Sequence, residues 1–134
     1  MRDYPPPGMR LIVIRHAEAS PGDPDELRPL TPKGREQARA LAGELRDRGI
    51  DADAVVTSPL LRALETAAAL EQGEPAIDDR LAPGATPADV REAAADRGDT
   101  VIVVGHQPDC GEAVLAFAGR EVSFAPAGYH EVEL

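Results

Sequence analysis

The sequence predicts an α/β fold, a three-layer sandwich in which a mostly parallel central sheet carries helices on both faces. Short apolar runs rich in Val and Ile, typical of strands buried on both faces, alternate with segments of helical periodicity. Three strand-to-helix units within 134 residues are typical of one α/β domain. We therefore expect a single domain over residues 9–134, preceded by a Pro-rich leader over residues 1–8.

The first unit begins with an apolar run at residues 9–15, which predicts a buried strand. Residues 19–32 are rich in proline and charge, and they predict a long loop. Thr31 followed by Pro32 predicts an N-cap and the first position of a helix that ends near Arg48. Its apolar residues recur at helical spacing and form one buried stripe: Ala38, Leu41, Ala42 and Leu45.

The second unit combines a strand at 54–57 with a helix at 60–72, and the pair Ser58-Pro59 repeats the pattern of a cap followed by proline. The remaining predicted elements are a brief extended piece at 76–77, a helix from Pro87 to about Arg97, a strand at 101–104, a helix at 111–118 and an edge strand at 128–134.

Composition excludes several classes of partner. The chain has 14 Lys and Arg against 24 Asp and Glu, a net charge of −10, which repels nucleic acid and anionic membrane surfaces. Cys110 is the single cysteine, so no intrachain disulfide can form. No apolar run is long enough for a signal peptide or a membrane span. We expect a cytoplasmic protein that does not bind nucleic acid or membranes, with a monomer as the simplest oligomeric state.

Polar side chains follow three of the predicted strands. Arg15, His16 and Glu18 come at the end of the first strand, Arg62 lies shortly after the second, and His106 follows the third. Because the carboxyl ends of parallel strands meet at one edge of a sheet, these groups should converge. Two histidines and two arginines suit phosphoryl transfer, since guanidinium groups match phosphoryl oxygens. The spacing of the three histidines does not predict a metal site.

Each of these residues also has a structural interpretation when taken alone. Arg15 could be a solvated strand end and His16 a turn residue, while Arg62 could lie on a helix surface and His106 in a loop. Their joint position at three strand ends is what predicts a site.

Four separated motifs then resemble the histidine phosphatase superfamily, also called phosphoglycerate-mutase-like. They span residues 9 to about 118 in the order of the family: Arg15-His16-Ala17-Glu18, with Ala17 where glycine is usual; Leu30-Thr31-Pro32-Lys33-Gly34; Ser58-Pro59-Leu60-Leu61-Arg62-Ala63-Leu64-Glu65-Thr66-Ala67; and Val104-Gly105-His106. The length and the segment 80–84 look most like the SixA-type phosphohistidine phosphatases.

The resemblance implies a phosphoglycerate-mutase-like fold in which His16 is the nucleophile and carries a phosphohistidine intermediate. It also implies that Arg15, Arg62 and His106 bind the phosphoryl group, with no metal or other cofactor. We expect the two arginines to lower the pKa of His16, which keeps its imidazole neutral and nucleophilic.

The proton donor stays open. Glu18 is either a proton donor or an ion-pair partner that orients an arginine. Asp78 and Asp79 lie in the segment that carries the acid in larger relatives, and Asp109 is a further candidate for which a helix-capping role is favoured.

Only about thirty residues separate Gly73 from Gly105, where larger members of the family insert a lid. An open site would admit a phosphorylated side chain, so we expect a phosphatase acting on phosphohistidine or another phosphorylated protein. The alternatives are a phosphomonoesterase for a small metabolite and a non-catalytic phosphate-binding regulatory module.

Other phosphatase motifs are incomplete. A cysteine-dependent phosphatase needs an arginine six residues after its cysteine, but position 116 is alanine, so Cys110 is expected to be a packed thiol. The aspartates Asp51 and Asp53 precede a strand instead of following it, which predicts a solvated turn. His130 is expected at the sheet edge, far from the other motifs.

Overall fold

A computed structural model describes residues 8–134, so the predicted leader lies outside the described residues except for Gly8. Within this range the chain forms five strands, four helices and two short 3-10 turns. The strands are β1 (Arg10–Arg15), β2 (Ala54–Thr57), β3 (Ala76–Ile77), β4 (Thr100–Gly105) and β5 (Tyr129–Glu133). The helices are α1 (Pro32–Asp47), α2 (Leu61–Ala69), α3 (Pro87–Ala94) and α4 (Asp109–Ala118), and the 3-10 turns are Asp25–Leu27 and Asp79–Leu81.

The five strands form one sheet in the order β3-β2-β4-β1-β5. All neighbouring pairs are parallel except β1 and β5, which are antiparallel, so the predicted mostly parallel sheet with β5 at its edge is confirmed. In this register Arg15 pairs with Gly105 and Thr57 pairs with Val104. The three strand ends that carry the predicted site residues therefore lie side by side at one edge of the sheet.

The core has two parts, one on each face of the sheet. In β1, Leu11 and Val13 pack with α3 and α4, while Ile12 and Ile14 pack with α1 and α2. This alternation is what a strand buried on both faces requires, because successive side chains point to opposite faces. Helices on both faces confirm the predicted three-layer sandwich.

Two helices begin as predicted. Thr31 caps α1 with its hydroxyl oxygen, which accepts a hydrogen bond from Gly34 N at 2.8 Å. Thr86 caps α3 in a reciprocal arrangement, in which the side chains of Thr86 and Asp89 each accept from the other residue's backbone N–H. In both cases Pro occupies the first helical position, where no N–H is needed.

The predicted start and end of α2 were wrong. Leu60, not Ser58, precedes the first helical residue, and the Ser58 hydroxyl is used elsewhere. The helix ends at Ala69 instead of continuing to Gln72, because Glu71 adopts a left-handed backbone with φ 55°. The Gln72 side chain then bonds back to the turn before β2, through Ala52 N and Ile50 O.

Two further helix ends differ from the prediction by a few residues. Helix α3 stops at Ala94 before the predicted end at Arg97, because the backbone turns at Asp96 with φ 61°. Helix α4 begins at Asp109 instead of Gly111.

Cys110, His130 and the two aspartates before β2 lie outside the four motifs. Cys110 is a buried thiol, as predicted, and burial raises its pKa to about 12. His130 lies in the edge strand β5, as predicted. Asp51 and Asp53 are both exposed before β2, as predicted for a solvated turn, and the Asp53 carboxylate also accepts hydrogen bonds from Asp99 N and Thr100 N. None of the helices described in residues 8–134 is both long and apolar enough to cross a membrane.

Candidate active site

His16 directly follows β1 at the edge where the strand ends meet, and it is partly buried. Its Nδ1 lies 2.7 Å from the carbonyl oxygen of Ala17. A carbonyl oxygen can only accept a hydrogen bond, so Nδ1 carries the ring proton. The lone pair of the neutral imidazole is therefore on Nε2, which fixes the nitrogen available to a substrate.

The pKa of His16 is lowered from its ordinary value, in the predicted direction but mainly for another reason. Burial of the ring is the largest cause, and the bond to Ala17 partly opposes it. The positive charges of Arg62, Arg15 and Arg28 lower the pKa further. The arginines thus add to an effect of burial, and the imidazole is neutral near pH 7.

His106 faces His16 across the edge of the sheet, with ring centroids 5.2 Å apart and ring planes at 59°. Burial is the largest cause that lowers the pKa of His106 to about 4, followed by repulsion from the His16 ring when that ring is protonated and from Arg62. The Asp25 carboxylate acts in the opposite direction on the same ring. His106 is therefore also neutral near pH 7.

The Ser58 hydroxyl lies 2.8 Å from His106 Nε2 and is fully buried. The same oxygen accepts a hydrogen bond from Leu60 N at 3.2 Å. Its own proton can be donated to Nε2, and in that arrangement the single proton of the neutral ring is on Nδ1. Ser58, predicted to be a helix cap, instead orients the second histidine.

Arg62 lies in the first turn of α2 with only 6% of its surface exposed. Its Nη1 donates to the carbonyl oxygen of Asp25 at 2.9 Å, and its Nη2 donates to the Asp25 carboxylate at 3.1 Å. Asp25 therefore fixes the guanidinium plane from the loop between β1 and α1.

Arg15 ends β1, and its Nη1 donates to the carbonyl oxygen of Phe124 at 2.9 Å. Its Nε is buried and has no hydrogen-bond partner among residues 8–134. Unpaired buried donors on charged groups are rare because they are costly, so this guanidinium keeps donor capacity at the strand end.

Two residues of the loop between β1 and α1 join the site without having been predicted. Arg28 donates from Nε to Ser20 O at 2.7 Å and from Nη1 to the Asp25 carboxylate at 2.9 Å. Its charge also lowers the pKa of His16. The loop thus adds a third guanidinium and a carboxylate. No local pattern distinguishes Arg28 or Asp25 from the other charged residues of this Pro-rich segment.

Glu18 is placed for a structural role. Its carboxylate accepts a hydrogen bond from the Thr31 hydroxyl at 2.7 Å, and its carbonyl oxygen accepts from Thr31 N at 3.0 Å. A side chain at Gly34 would collide with that carbonyl, which explains the glycine of this motif. Within residues 8–134, Glu18 forms no ion pair with an arginine, so the predicted orienting ion pair is absent.

The other candidate acids are also held by neighbours. The Asp78 carboxylate pairs with Arg80 at 2.7 Å, while Asp79 is exposed in a 3-10 turn. The buried Asp109 carboxylate accepts from the backbone N–H groups of residues 84 and 85 at 2.8 and 3.0 Å. Asp109 is therefore not the predicted helix cap, since Pro108 occupies that position.

Ala17, where the family usually has glycine, is fully buried. The non-glycine residues with positive φ in the described chain are Glu71, Asp96 and Ala127, so the backbone at Ala17 does not require glycine. Its N–H donates to the Thr66 hydroxyl at 3.0 Å, and that hydroxyl donates to Arg62 O at 2.8 Å. Thr66 thus connects the His16 segment to the helix that carries Arg62.

Residues 8–134 contain no group of three or more His, Cys, Asp or Glu side chains arranged to hold a metal ion. The chemistry available at this edge is that of two neutral imidazoles and three guanidinium groups. Such a set can bind a tetrahedral oxyanion and present a nucleophilic nitrogen to it.

Comparisons with known proteins agree with this arrangement. An uncharacterized protein of Picosynechococcus sp. is 35% identical over 133 residues, covering 91% of this chain and 78% of its own length. A candidate phosphohistidine phosphatase SixA of Nakamurella multipartitia superposes with a TM-score of 0.78 at 29% identity, covering 96% of this chain and 86% of that one.

The protein histidine phosphatase SixA, solved in complex with tungstate, superposes with a TM-score of 0.80 at 24% identity, covering 92% of this chain and 86% of that one. It confirms the predicted phosphoglycerate-mutase-like fold. Residues 11–83 match the model of the histidine phosphatase superfamily, branch 1. Four motifs in one site, a shared fold and this match over more than half of the chain lead to one conclusion: the protein belongs to the histidine phosphatase superfamily.

Proposed function

We propose that this protein is a phosphatase that removes the phosphoryl group from phosphohistidine side chains of protein substrates, through a phosphohistidine intermediate on His16. The observation that carries the proposal is the state of His16. A neutral imidazole with its lone pair on Nε2 lies within electrostatic reach of three guanidinium groups and 5.2 Å, between ring centroids, from a second neutral imidazole.

Anion binding in this proposal rests on Arg15, Arg28, Arg62 and His106. The guanidinium forks match the spacing of phosphoryl oxygens and stay charged at any working pH. The unpaired Nε of Arg15 and the buried fork of Arg62 are preorganised donors, which are worth most in a site with little water. The related SixA structure that holds tungstate, a tetrahedral oxyanion of similar shape, supports this assignment.

The reaction has two displacement steps. In the first, the lone pair of His16 Nε2 forms a bond to phosphorus as the bond from phosphorus to the substrate nitrogen breaks, and the electron pair of that bond stays with the substrate imidazole. In the second, water attacks phosphorus and the bond to Nε2 breaks; its electron pair returns to Nε2, both protons of the water stay with the phosphate, and inorganic phosphate leaves. The donor N–H of His106 and the guanidinium groups stabilise the charge on the phosphoryl oxygens in both steps.

Phosphohistidine is favoured as the substrate because the site has little to protonate a poor leaving group. Glu18, Asp78 and Asp109 are held by other groups, and His106, with a pKa of about 4, carries no additional proton at neutral pH. An alkoxide leaving group needs a strong general acid, whereas an imidazole does not. The relatives described as phosphohistidine phosphatases agree with this choice.

Rapid-quench labelling tests the proposal. A peptide carrying ³²P-phosphohistidine should transfer label to the protein within one turnover, as an acid-labile adduct that is absent from His16→Ala. His130→Gln is the matched control, because His130 lies in the edge strand and should not alter labelling. Binding of the peptide without any label on the protein would instead indicate a phosphate-binding module. Faster turnover of sugar or nucleotide phosphates than of the peptide would indicate a metabolite phosphatase.

A further inference from the structure

Asp25 is a carboxylate at the mouth of the site that phosphate binding alone does not require. It opens the 3-10 turn Asp25–Leu27, and 58% of its side chain is exposed. One carboxylate oxygen lies 2.9 Å from Arg28 Nη1 and the other lies 3.1 Å from Arg62 Nη2. Among the ion pairs of residues 8–134, Asp25 is the only acidic partner of either arginine.

The position of Asp25 brings it close to a bound phosphoryl group. An oxygen bonded to Arg62 Nη2 would lie about 2.9 Å from that nitrogen. Asp25 is 3.1 Å from the same nitrogen, so the two oxygens can be no more than about 6 Å apart. The charged or titratable groups that interact electrostatically with Asp25 are Arg28, Arg62 and His106. Glu26 is its neighbour in the sequence.

The leaving group of a displacement by His16 is expected on the exposed side of the site. The attacking and leaving atoms of a phosphoryl transfer lie roughly in line on opposite sides of phosphorus. His16 attacks from the partly buried strand end, so the leaving group points toward the exposed side of the site. The Asp25 carboxylate is 58% exposed and therefore faces solvent as well.

We propose that Asp25 determines the specificity of the site for phosphorylated imidazoles over phosphate esters. Its carboxylate accepts a hydrogen bond from the proton-bearing ring nitrogen of the substrate and repels a leaving group that departs as an oxyanion. The inference rests on the proposed phosphatase function and adds the residue that selects the substrate class.

The two leaving groups differ in charge. When the bond between phosphorus and nitrogen breaks, its electron pair stays on that nitrogen, while the other ring nitrogen keeps its proton, so a neutral imidazole leaves. When an ester bond breaks, the electron pair stays on oxygen and an anion forms within reach of Asp25. The Asp25 carboxylate stabilises the protonated ring of a bound phosphoimidazole. The same carboxylate destabilises the oxyanion that is released from an ester.

The charge state of Asp25 fits this role. Hydrogen bonds from Arg28 and Arg62 hold the pKa of the Asp25 carboxyl below its ordinary value. The carboxyl group is therefore ionised throughout the neutral pH range. In that state it can accept a hydrogen bond from an N–H group, but it has no proton to donate to an oxyanion. This separates its role from that of a general acid.

The test compares Asp25→Asn with the wild-type protein on phosphoimidazole and on p-nitrophenyl phosphate. We expect kcat/KM for phosphoimidazole to fall and kcat/KM for the ester to stay level or rise, which changes their ratio by about fivefold or more, the size expected for loss of one exposed charge interaction. The alkaline limb of the phosphoimidazole pH profile should move to lower pH, because the bound ring loses the acceptor of its proton. Asp25→Glu, which keeps the charge, should keep most of the preference.

Glu26→Gln is the matched control, because Glu26 is an exposed carboxylate of the same turn that forms none of the hydrogen bonds or ion pairs found in the described chain. It should leave the ratio and the pH profile unchanged. Equal loss on both substrates in Asp25→Asn, with an unshifted pH profile, would mean that Asp25 only positions the arginines and would overturn the inference. Failure of the proposed function itself has a different signature, since the wild-type protein would then fail to hydrolyse phosphoimidazole, whether or not it hydrolyses the ester.

Discussion

The imidazole rings of His16 and His106 stand 5.2 Å apart at the ends of two paired parallel strands. This spacing follows from the sheet register, in which Arg15 of β1 is opposite Gly105 of β4. Each histidine directly follows the last residue of its strand. Both rings have lowered pKa values, and burial at the edge they share is the largest cause for each. At this spacing both histidines can contact one phosphoryl group, with His16 placed to attack phosphorus and His106 to donate a hydrogen bond to an oxygen.

The stability of the protein should fall as the pH is lowered from 7 to 5. His106 has a pKa of about 4 in the folded chain and an ordinary pKa of 6.5 when unfolded, so in this window the unfolded chain binds a proton that the folded chain excludes. The loss of unfolding free energy from this group is up to about 2 kcal/mol. Urea denaturation at several pH values measures it, and His106→Gln should flatten the dependence. An equal slope in both proteins would contradict the assigned pKa.

Arg62→Lys should lower kcat/KM for a phosphorylated imidazole by about 10²-fold, the usual cost of losing one preorganised donor to a reacting oxyanion. The lysine keeps the charge but cannot use two nitrogens at once on Asp25 and the substrate. Arg39→Lys, on the exposed side of α1, is the matched control and should be unaffected. Steady-state kinetics with both variants checks the prediction, and equal rates for Arg62→Lys and wild type would remove Arg62 from the site.

Ser58→Ala should lower kcat by roughly fivefold and leave the fold intact, because it removes one neutral hydrogen bond that costs about 1 kcal/mol to lose. The hydroxyl lies 2.8 Å from His106 Nε2, and without it the ring has no defined tautomer. Nitrogen NMR of the ring is the sharper measurement: His106 should be protonated on Nδ1 in the wild type and should become a mixture of tautomers in the variant. A wild-type ring protonated on Nε2 would contradict the assignment.

The strand ends were the part of the site that sequence alone could predict. His16, Arg62 and His106 follow apolar runs whose strand character is plain, and the convergence of parallel strand ends then brings them together. Local patterns are enough at these positions, because His16 and His106 directly follow their strands and Arg62 lies in the first turn of the helix after β2.

Residues placed by distant partners could not be predicted in this way. Ser58 has the sequence context of a helix cap but bonds to a histidine 48 positions away. Asp109 also resembles a cap, yet its carboxylate holds a turn 25 positions earlier in the chain. Asp25 lies in a loop with no periodicity and is fixed by Arg62, 37 positions later. Local propensity decides which backbone a residue adopts, and it does not decide which distant side chain completes its hydrogen bonds.

Gly34→Ala should destabilise the protein, although alanine normally favours a helix. A Cβ at this position would collide with the carbonyl oxygen of Glu18, which is backbone and cannot rotate away. The required shift of α1 should lower the unfolding free energy by about 1 to 3 kcal/mol, the usual cost of forcing extra volume into a packed contact. It should also disturb the Glu18 to Thr31 hydrogen bonds that begin the helix.

Gly43→Ala in the same helix is the matched control for that change. Its Cβ would meet only the end of the flexible Arg46 side chain at 3.6 Å, so the substitution should stabilise α1 by about 0.5 to 1 kcal/mol through helix propensity alone. Urea denaturation of the two variants should therefore give changes of opposite sign. Stabilisation by both would show that α1 can move away from Glu18 at little cost, and that the glycine of this motif does not fix the helix against the segment that carries His16.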